Sequence, residues 1–216
     1  MKFSKKLLVS SIAASAMAFS ALAPVANAEV SASVGVANMY YWRGLDLGNG
    51  DPAVSGDINV SANGLYAGVW GSSGDAVLGQ EYDLYLGYGG EAGGFSYDVS
   101  VWNYNYPSAT DANGLDASPD IGDLTEVVGS VGFGPVTATY YHGVQDLEDY
   151  WYATLEASFD KFSIKYGLHE HDLAHVDLSY AYNDNLSFML GKVVDDVDEA
   201  FDDDLKFVVS YSLPIE

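Results

Sequence analysis

The chain has 216 residues, with 31 acidic side chains against 8 basic ones and a formal net charge of −23. Such an acidic protein lacks the Lys and Arg side chains that phosphate contacts require, which excludes nucleic acid as a partner. The chain has no cysteine, so disulfides and thiolate metal sites are also excluded. Its 17 Tyr, 9 Phe and 4 Trp argue against disorder, because disordered chains are poor in aromatic residues.

The first 28 residues have the pattern of a secretory signal peptide. Lysines near the start precede an apolar, alanine-rich stretch over residues 7–22 and the small-x-small motif Ala26-Asn27-Ala28. A membrane anchor is the alternative, but serines interrupt the stretch, which is short for a transmembrane helix. We therefore expect residues 1–28 to be cleaved and residues 29–216 to form one domain.

Alternation of apolar and polar residues with period two recurs along the remaining sequence and predicts strands. No segment has the pattern of a convincing amphipathic helix. The sequence therefore predicts an all-β fold. The twelve predicted strands lie near residues 30–41, 54–61, 65–72, 82–88, 95–101, 124–133, 136–142, 151–159, 162–168, 175–182, 186–193 and 205–213.

The connections between these strands alternate between short and long. Asn63-Gly64 is a two-residue hairpin signal. An even strand number with tight turns at one end and longer loops at the other is the plan of an outer-membrane barrel. We expect a transmembrane antiparallel β-barrel of about 12 strands (10 or 14 being the alternatives), with short periplasmic turns and longer extracellular loops. The predicted long connections are 43–53, 72–80, 107–122, 143–149, 169–174 and 194–204.

Aromatic residues concentrate near the predicted strand ends, as in the girdles at the two membrane interfaces of such barrels. A soluble β-sandwich, the alternative fold, would instead place them mid-strand in its core. This pattern favours the outer membrane of a Gram-negative bacterium as the location. The predicted girdle consists of Tyr40, Tyr41, Trp42, Trp70, Tyr82, Trp102, Tyr104, Tyr150 and Trp151 near the long loops, and Phe95, Phe133, Phe159, Phe162 and Phe188 near the short turns.

Seven runs of the sequence stand out: residues 41–45, 50–53, 64–72, 81–85, 95–99, 104–107 and 132–141. Together they resemble the TorF-type porin family of proteobacteria. The likeness covers residues 30–160 and implies an outer-membrane porin, without implying a substrate. Membrane lipid, lipopolysaccharide and the barrel-assembly machinery are the expected partners. One departure is the ending Pro214-Ile215-Glu216, since many such barrels end on a Phe.

If the apolar series of each strand faces lipid, the polar series faces the barrel interior. A net negative interior attracts cations and repels anions. We expect a narrow, porin-like channel for passive diffusion of small polar solutes or cations. A closed barrel with a structural or surface-binding role is the alternative, since twelve strands fall between filled and open barrels. The candidate pore-lining residues are Asp57, Asp83, Asp98, Glu126, Glu156 and Asp177, with Lys165 and Lys206.

Two clusters suggest metal binding. Residues 195–204 carry clustered carboxylates that suit Ca²⁺, although a solvated charge run is the favoured interpretation. His169, His171 and His175 suggest Zn²⁺ or Cu²⁺, but they flank a predicted loop. The chain has no G-x-S-x-G motif and no evident Ser/His/acid set, so a lipid-modifying enzyme is the remotest alternative. We expect no catalytic activity, cofactor or metal.

Overall fold

The computed structural model describes residues 28–197 and 201–215, apart from the side chain of His171. The predicted signal peptide, except for its last residue, lies outside the described residues. No helix in the described part of the chain is long and apolar enough to cross a membrane.

Twelve antiparallel strands form a closed barrel in which β1 pairs with both β4 and β14. The predicted all-β fold and twelve-stranded antiparallel barrel are confirmed. Two further short strands, β2 and β3, pair only with each other. The strands are β1 (Glu29–Ala37), β2 (Tyr41–Trp42), β3 (Leu45–Asp46), β4 (Ala53–Ala62), β5 (Leu65–Asp75), β6 (Gly79–Ala92), β7 (Phe95–Asn105), β8 (Leu124–Phe133), β9 (Val136–Gln145), β10 (Trp151–Phe159), β11 (Phe162–His169), β12 (Ala174–Ala181), β13 (Leu186–Asp195) and β14 (Lys206–Ile215).

Tight turns join the strands at one end of the barrel, which we call the turn end. At Asn63-Gly64 both residues have positive φ, 52° and 87°, as a two-residue hairpin requires. At the opposite end, the loop end, the connection between β5 and β6 is much shorter than predicted. Only residues 76–78 join β5 to β6, because both strands continue past a register shift after Ser72. A 3₁₀ turn, Glu170–Asp172, accounts for most of the connection between β11 and β12.

The period-two alternation sorts side chains between the two faces of the barrel. Apolar side chains of the outward series are exposed, such as Val99 at 58% and Leu155 at 56%. Acids of the inward series are buried, with Asp83 at 0% and Glu126 at 1%. An apolar exterior around a polar interior is the inverse of a water-soluble protein and is typical of membrane barrels.

Candidate functional site in the barrel interior

The connection between β1 and β4 folds back into the barrel instead of remaining outside. Its central part, Tyr40–Asp46, contains β2 and β3, and we call it the inner hairpin. Arg43 and Gly44 form its turn, with positive φ values of 47° and 94°. A Cβ on Gly44 would lie 2.8 Å from the His175 side chain, so this turn requires glycine both for its backbone and for the close approach.

Arg43 holds the tip of the inner hairpin in the interior. Its Nη1 and Nη2 atoms donate to the two carboxylate oxygens of Glu126 on β8 at 2.8 and 2.6 Å. The Tyr104 hydroxyl donates to the same carboxylate at 2.6 Å. Both members of the ion pair are almost fully buried. This paired geometry is the strongest form of arginine–carboxylate contact.

Aromatic rings surround the Arg43 guanidinium. Its central carbon lies 4.3 Å from the ring centroids of Trp42 and Tyr141 and 4.7 Å from that of Tyr152. Burial alone would lower the pKa of Arg43, but the Glu126 carboxylate raises this pKa well above its ordinary value. The guanidinium therefore stays charged, held by ion pairing and by cation–π attraction.

Two histidines fasten the inner hairpin to β11 and β12. His169 Nε2 donates to the Arg43 carbonyl at 2.8 Å, while Nδ1 accepts from the Tyr150 hydroxyl at 2.9 Å. His175 Nδ1 contacts Asp177 at 3.0 Å, and Nε2 accepts from the Tyr152 hydroxyl at 2.8 Å. All four ring nitrogens therefore have protein partners, and those partners fix both tautomers.

Tyrosine hydroxyls connect the inner hairpin to opposite walls. Tyr40 donates to Glu81 on β6, and Tyr41 donates to Asp177 on β12 at 2.5 Å. β6 and β12 are six positions apart in the ring of twelve strands, so they face each other across the interior. The inner hairpin therefore crosses the interior at the loop end.

The half of the interior nearer the turn end is polar but less completely buried. The Tyr85 hydroxyl donates to Asp57 at 2.7 Å, and Tyr66 donates to Asp98 at 2.8 Å. Lys165 and Glu156 form an ion pair at 3.5 Å whose side chains are 21% and 33% exposed. Water therefore reaches this half, in contrast to the surroundings of Arg43.

Glycines provide the space that the inward-facing rings occupy. A Cβ on Gly68 would collide with the Tyr85 ring and would lie 2.6 Å from the Ile58 carbonyl oxygen. A Cβ on Gly87 would collide with the Tyr66 hydroxyl. The absence of a side chain at these two glycines therefore makes room for the Tyr85 and Tyr66 side chains against the wall.

The candidate pore-lining residues divide between the two halves. Lys206 differs from the others, because it binds Asp202 of the neighbouring loop at the barrel rim. Asp83, Glu126 and Asp177 lie around the inner hairpin, while Asp57, Asp98, Glu156 and Lys165 lie nearer the turn end.

Half of the predicted aromatic girdle does not lie on the outer surface. The assignment failed because it used distance from strand ends and ignored strand parity: Trp102 and Tyr104 share the inward series with Asp98. Those that face outward are Tyr82, Trp151, Phe95, Phe133, Phe159, Phe162 and Phe188. Those that face inward are Tyr40, Tyr41, Trp42, Trp70, Trp102, Tyr104 and Tyr150.

Sequence reasoning missed Arg43 and Glu81 as interior residues. Arg43 is the only arginine in the chain, and three aromatic residues precede it directly. A lone arginine in such an acidic sequence is a signal that could have been used. Glu81 lies one residue before the predicted strand 82–88. The alternation within that strand therefore did not assign Glu81 to the interior.

The two clusters that were considered as metal sites differ in their surroundings in the structure. Ligand atoms of Asp202, Asp203 and Asp204 lie within 4.8 Å of one another, but these side chains are exposed. The Lys206 ammonium keeps the pKa of Asp202 below its ordinary value. Residues 198–200 of this loop lie outside the described residues, as does the side chain of His171. His169 and His175 face the interior as hydrogen-bonding residues of the hairpin contact.

The chain belongs to the family described as "Bacterial protein of unknown function (Gcw_chp)", whose model matches residues 21–196. None of the curated proteins matches it.

Proposed function

We propose that this Gcw_chp protein is an outer-membrane channel for small cations or small neutral polar solutes, with the inner hairpin as its constriction. The supporting observation is a polar, acidic interior inside an apolar exterior, crossed by a hairpin that side-chain contacts hold in place. The resemblance to TorF-type porins supports the same class. In this proposal the exterior contacts membrane lipid and lipopolysaccharide, the barrel-assembly machinery inserts the chain, and the turn end faces the periplasm.

The acids nearer the turn end would select the permeating solute. Asp57 is partly exposed and Asp98 is buried in this half of the interior, and each accepts a hydrogen bond from a tyrosine hydroxyl. Their negative charge attracts cations and disfavours anions by the same electrostatics as the acidic rings of cation channels. In this proposal the route narrows at the loop end, where displacement of the inner hairpin would widen it.

A closed barrel is the second candidate function. The observation that favours it is the complete burial of the Arg43–Glu126 pair, because separating these charges is costly once they are out of water. In that case the loops, and not the interior, would carry the function.

Current through a planar bilayer separates the two candidates. The refolded protein should give discrete steps with a cation-selective reversal potential in a KCl gradient. A variant with Tyr40–Asp46 replaced by a short Gly-Ser linker should give steps at least threefold larger. The matched control replaces residues 111–116 of the exposed loop between β7 and β8 with the same linker and should conduct like the wild type.

Heat-modifiable migration on a detergent gel verifies that each variant is a folded barrel. A folded variant without its inner hairpin that passes no current would rule out the channel and leave the closed barrel. Asp57→Lys combined with Asp98→Lys should shift the reversal potential toward anions.

A further inference from the structure

A group of buried charges at the loop end is unbalanced. Glu81, Asp83 and Glu126 bring three carboxylates together with the single guanidinium of Arg43, and each side chain is buried. Glu81, Glu126 and Arg43 are the charged groups that act most strongly on Asp83. With all four groups ionised, negative charges exceed positive ones by two. A buried charge without a counter-charge is costly, so this group must take up positive charge, either as protons or as a bound cation.

Asp83 is the member of the group that lacks partners. Glu126 accepts from Arg43 and Tyr104, and Glu81 accepts from Tyr40 and from Tyr106 at 2.7 Å. Neither Asp83 oxygen accepts a hydrogen bond from a donor group among the described residues, although the side chain is 0% exposed; its carboxyl group lies beside that of Glu81. A buried, unpartnered carboxylate costs free energy unless something binds it.

A surface cleft lies in the barrel wall next to this group. The cleft has a volume of about 360 Å³ and lies between β4, β5 and β6 at the loop end. Glu81 is part of its lining, together with Ser72, Gln80 and Tyr82. Asp83 lies two residues further along the same face of β6. Asp83 is not part of the cleft lining: Gln80 and Tyr82 face outward, whereas the Glu81 and Asp83 side chains lie on the inner face of the same strand, behind the wall.

We infer that Asp83 and Glu81 bind a divalent cation of the Ca²⁺ type. Carboxylate oxygens are ligands that hard cations such as Ca²⁺ prefer. Two positive charges match the imbalance, whereas a monovalent ion would leave one negative charge unpaired. Ca²⁺ accepts irregular coordination and can keep water ligands, so it does not require a complete cage of side chains. The site is independent of whether the barrel conducts.

The test measures binding of Ca²⁺ alone to the full refolded chain in detergent by isothermal titration calorimetry. The wild type should bind one Ca²⁺ at this site, and Ca²⁺ should raise its Tm. Asp83→Asn keeps the side-chain shape and removes the charge; we expect it to bind Ca²⁺ at least tenfold more weakly and to show no Ca²⁺-dependent rise in Tm. Glu81→Gln provides a second variant should the first fail to fold.

The exposed acids of the last loop are the control. A triple variant, D202N/D203N/D204N, should retain the high-affinity Ca²⁺ site. Equal Ca²⁺ binding by wild type and Asp83→Asn, or loss only in the triple variant, would overturn the inference. So would absence of Ca²⁺ binding together with a protonated-carboxyl infrared band that disappears in Asp83→Asn. This binding test needs no membrane. A negative result in it can therefore be distinguished from the absence of current in the bilayer experiment.

Discussion

Arg43 and Glu126 are separated by 83 positions in the sequence, yet Nη1 and Nη2 lie 2.8 and 2.6 Å from the two carboxylate oxygens. One residue is at the tip of the inner hairpin and the other is in the wall of the barrel. Their contact fixes the first connection of the chain inside the barrel, and it accounts for the burial of both charges.

Removing one partner of this pair should strongly destabilise the fold. Glu126→Gln removes the paired charge-assisted hydrogen bonds of the Arg43 guanidinium inside the barrel, and the expected loss in free energy of unfolding is about 3–5 kcal/mol. Combining Arg43→Met with Glu126→Leu removes both charges and should recover most of that loss. Denaturant unfolding in detergent, followed by tryptophan fluorescence, measures both.

The Glu156–Lys165 pair is the matched control, because its side chains are partly exposed. Glu156→Gln should cost less than about 1 kcal/mol. Equal losses for Glu126→Gln and Glu156→Gln would contradict the distinction between a buried hairpin contact and a hydrated pair.

The packing of Tyr85 against Gly68 predicts that alanine substitutions at two different glycines will have unequal costs. Gly68→Ala places a Cβ against the Tyr85 ring and 2.6 Å from a backbone oxygen, so the expected cost is about 1–3 kcal/mol. Gly129→Ala is the control, because a Cβ there meets nothing within 4 Å, and we expect a change within about 0.5 kcal/mol. Unfolding curves that shift equally for the two variants would refute the proposed packing of rings over glycines.

The outer and inner faces of the barrel can be distinguished by the quenching of tryptophan fluorescence by brominated lipid. Trp151 faces outward beside Tyr140, while Trp102 is stacked on Tyr85 inside, with ring centroids 4.4 Å apart. Single-tryptophan variants, with the other three replaced by Phe, are reconstituted into vesicles of brominated lipid. We expect strong quenching of Trp151 and weak quenching of Trp102. Similar quenching of both would mean either that the barrel is not embedded or that the faces are assigned wrongly.

The hydrogen bonds to the Asp111 carboxylate predict that the backbone of the long loop between β7 and β8 changes with pH. Its carboxylate accepts from the backbone N–H groups of Leu115 and Asn113, and these bonds lower its pKa from 3.8. A lowered folded-state pKa means that the contact is complete above the ordinary pKa and is lost as pH falls through the lower one. NMR should show the two amide shifts moving with the Asp111 carboxyl titration. Amide shifts that are unchanged by Asp111→Asn would argue against this contact.

Much of the fold follows from the sequence. Period-two alternation places Asp57, Asp83 and Asp98 on the face opposite Val99 and Leu155, because successive side chains of a strand point to opposite faces. Asn63-Gly64 determines a hairpin through backbone φ alone. These are local properties, so they can be read without knowing what each strand packs against.

The position of the inner hairpin depends on tertiary structure. Nothing local distinguishes a Tyr-Trp-Arg run in a surface loop from one folded into a barrel; the difference is made by Glu126, Asp177 and Glu81, which lie far along the chain. The same holds for Asp83, whose lack of partners appears only when neighbouring strands surround it. The sequence by itself determined a barrel with a polar interior, whereas the tertiary structure decided how that interior is closed, because closure depends on long-range contacts between charges and hydroxyls.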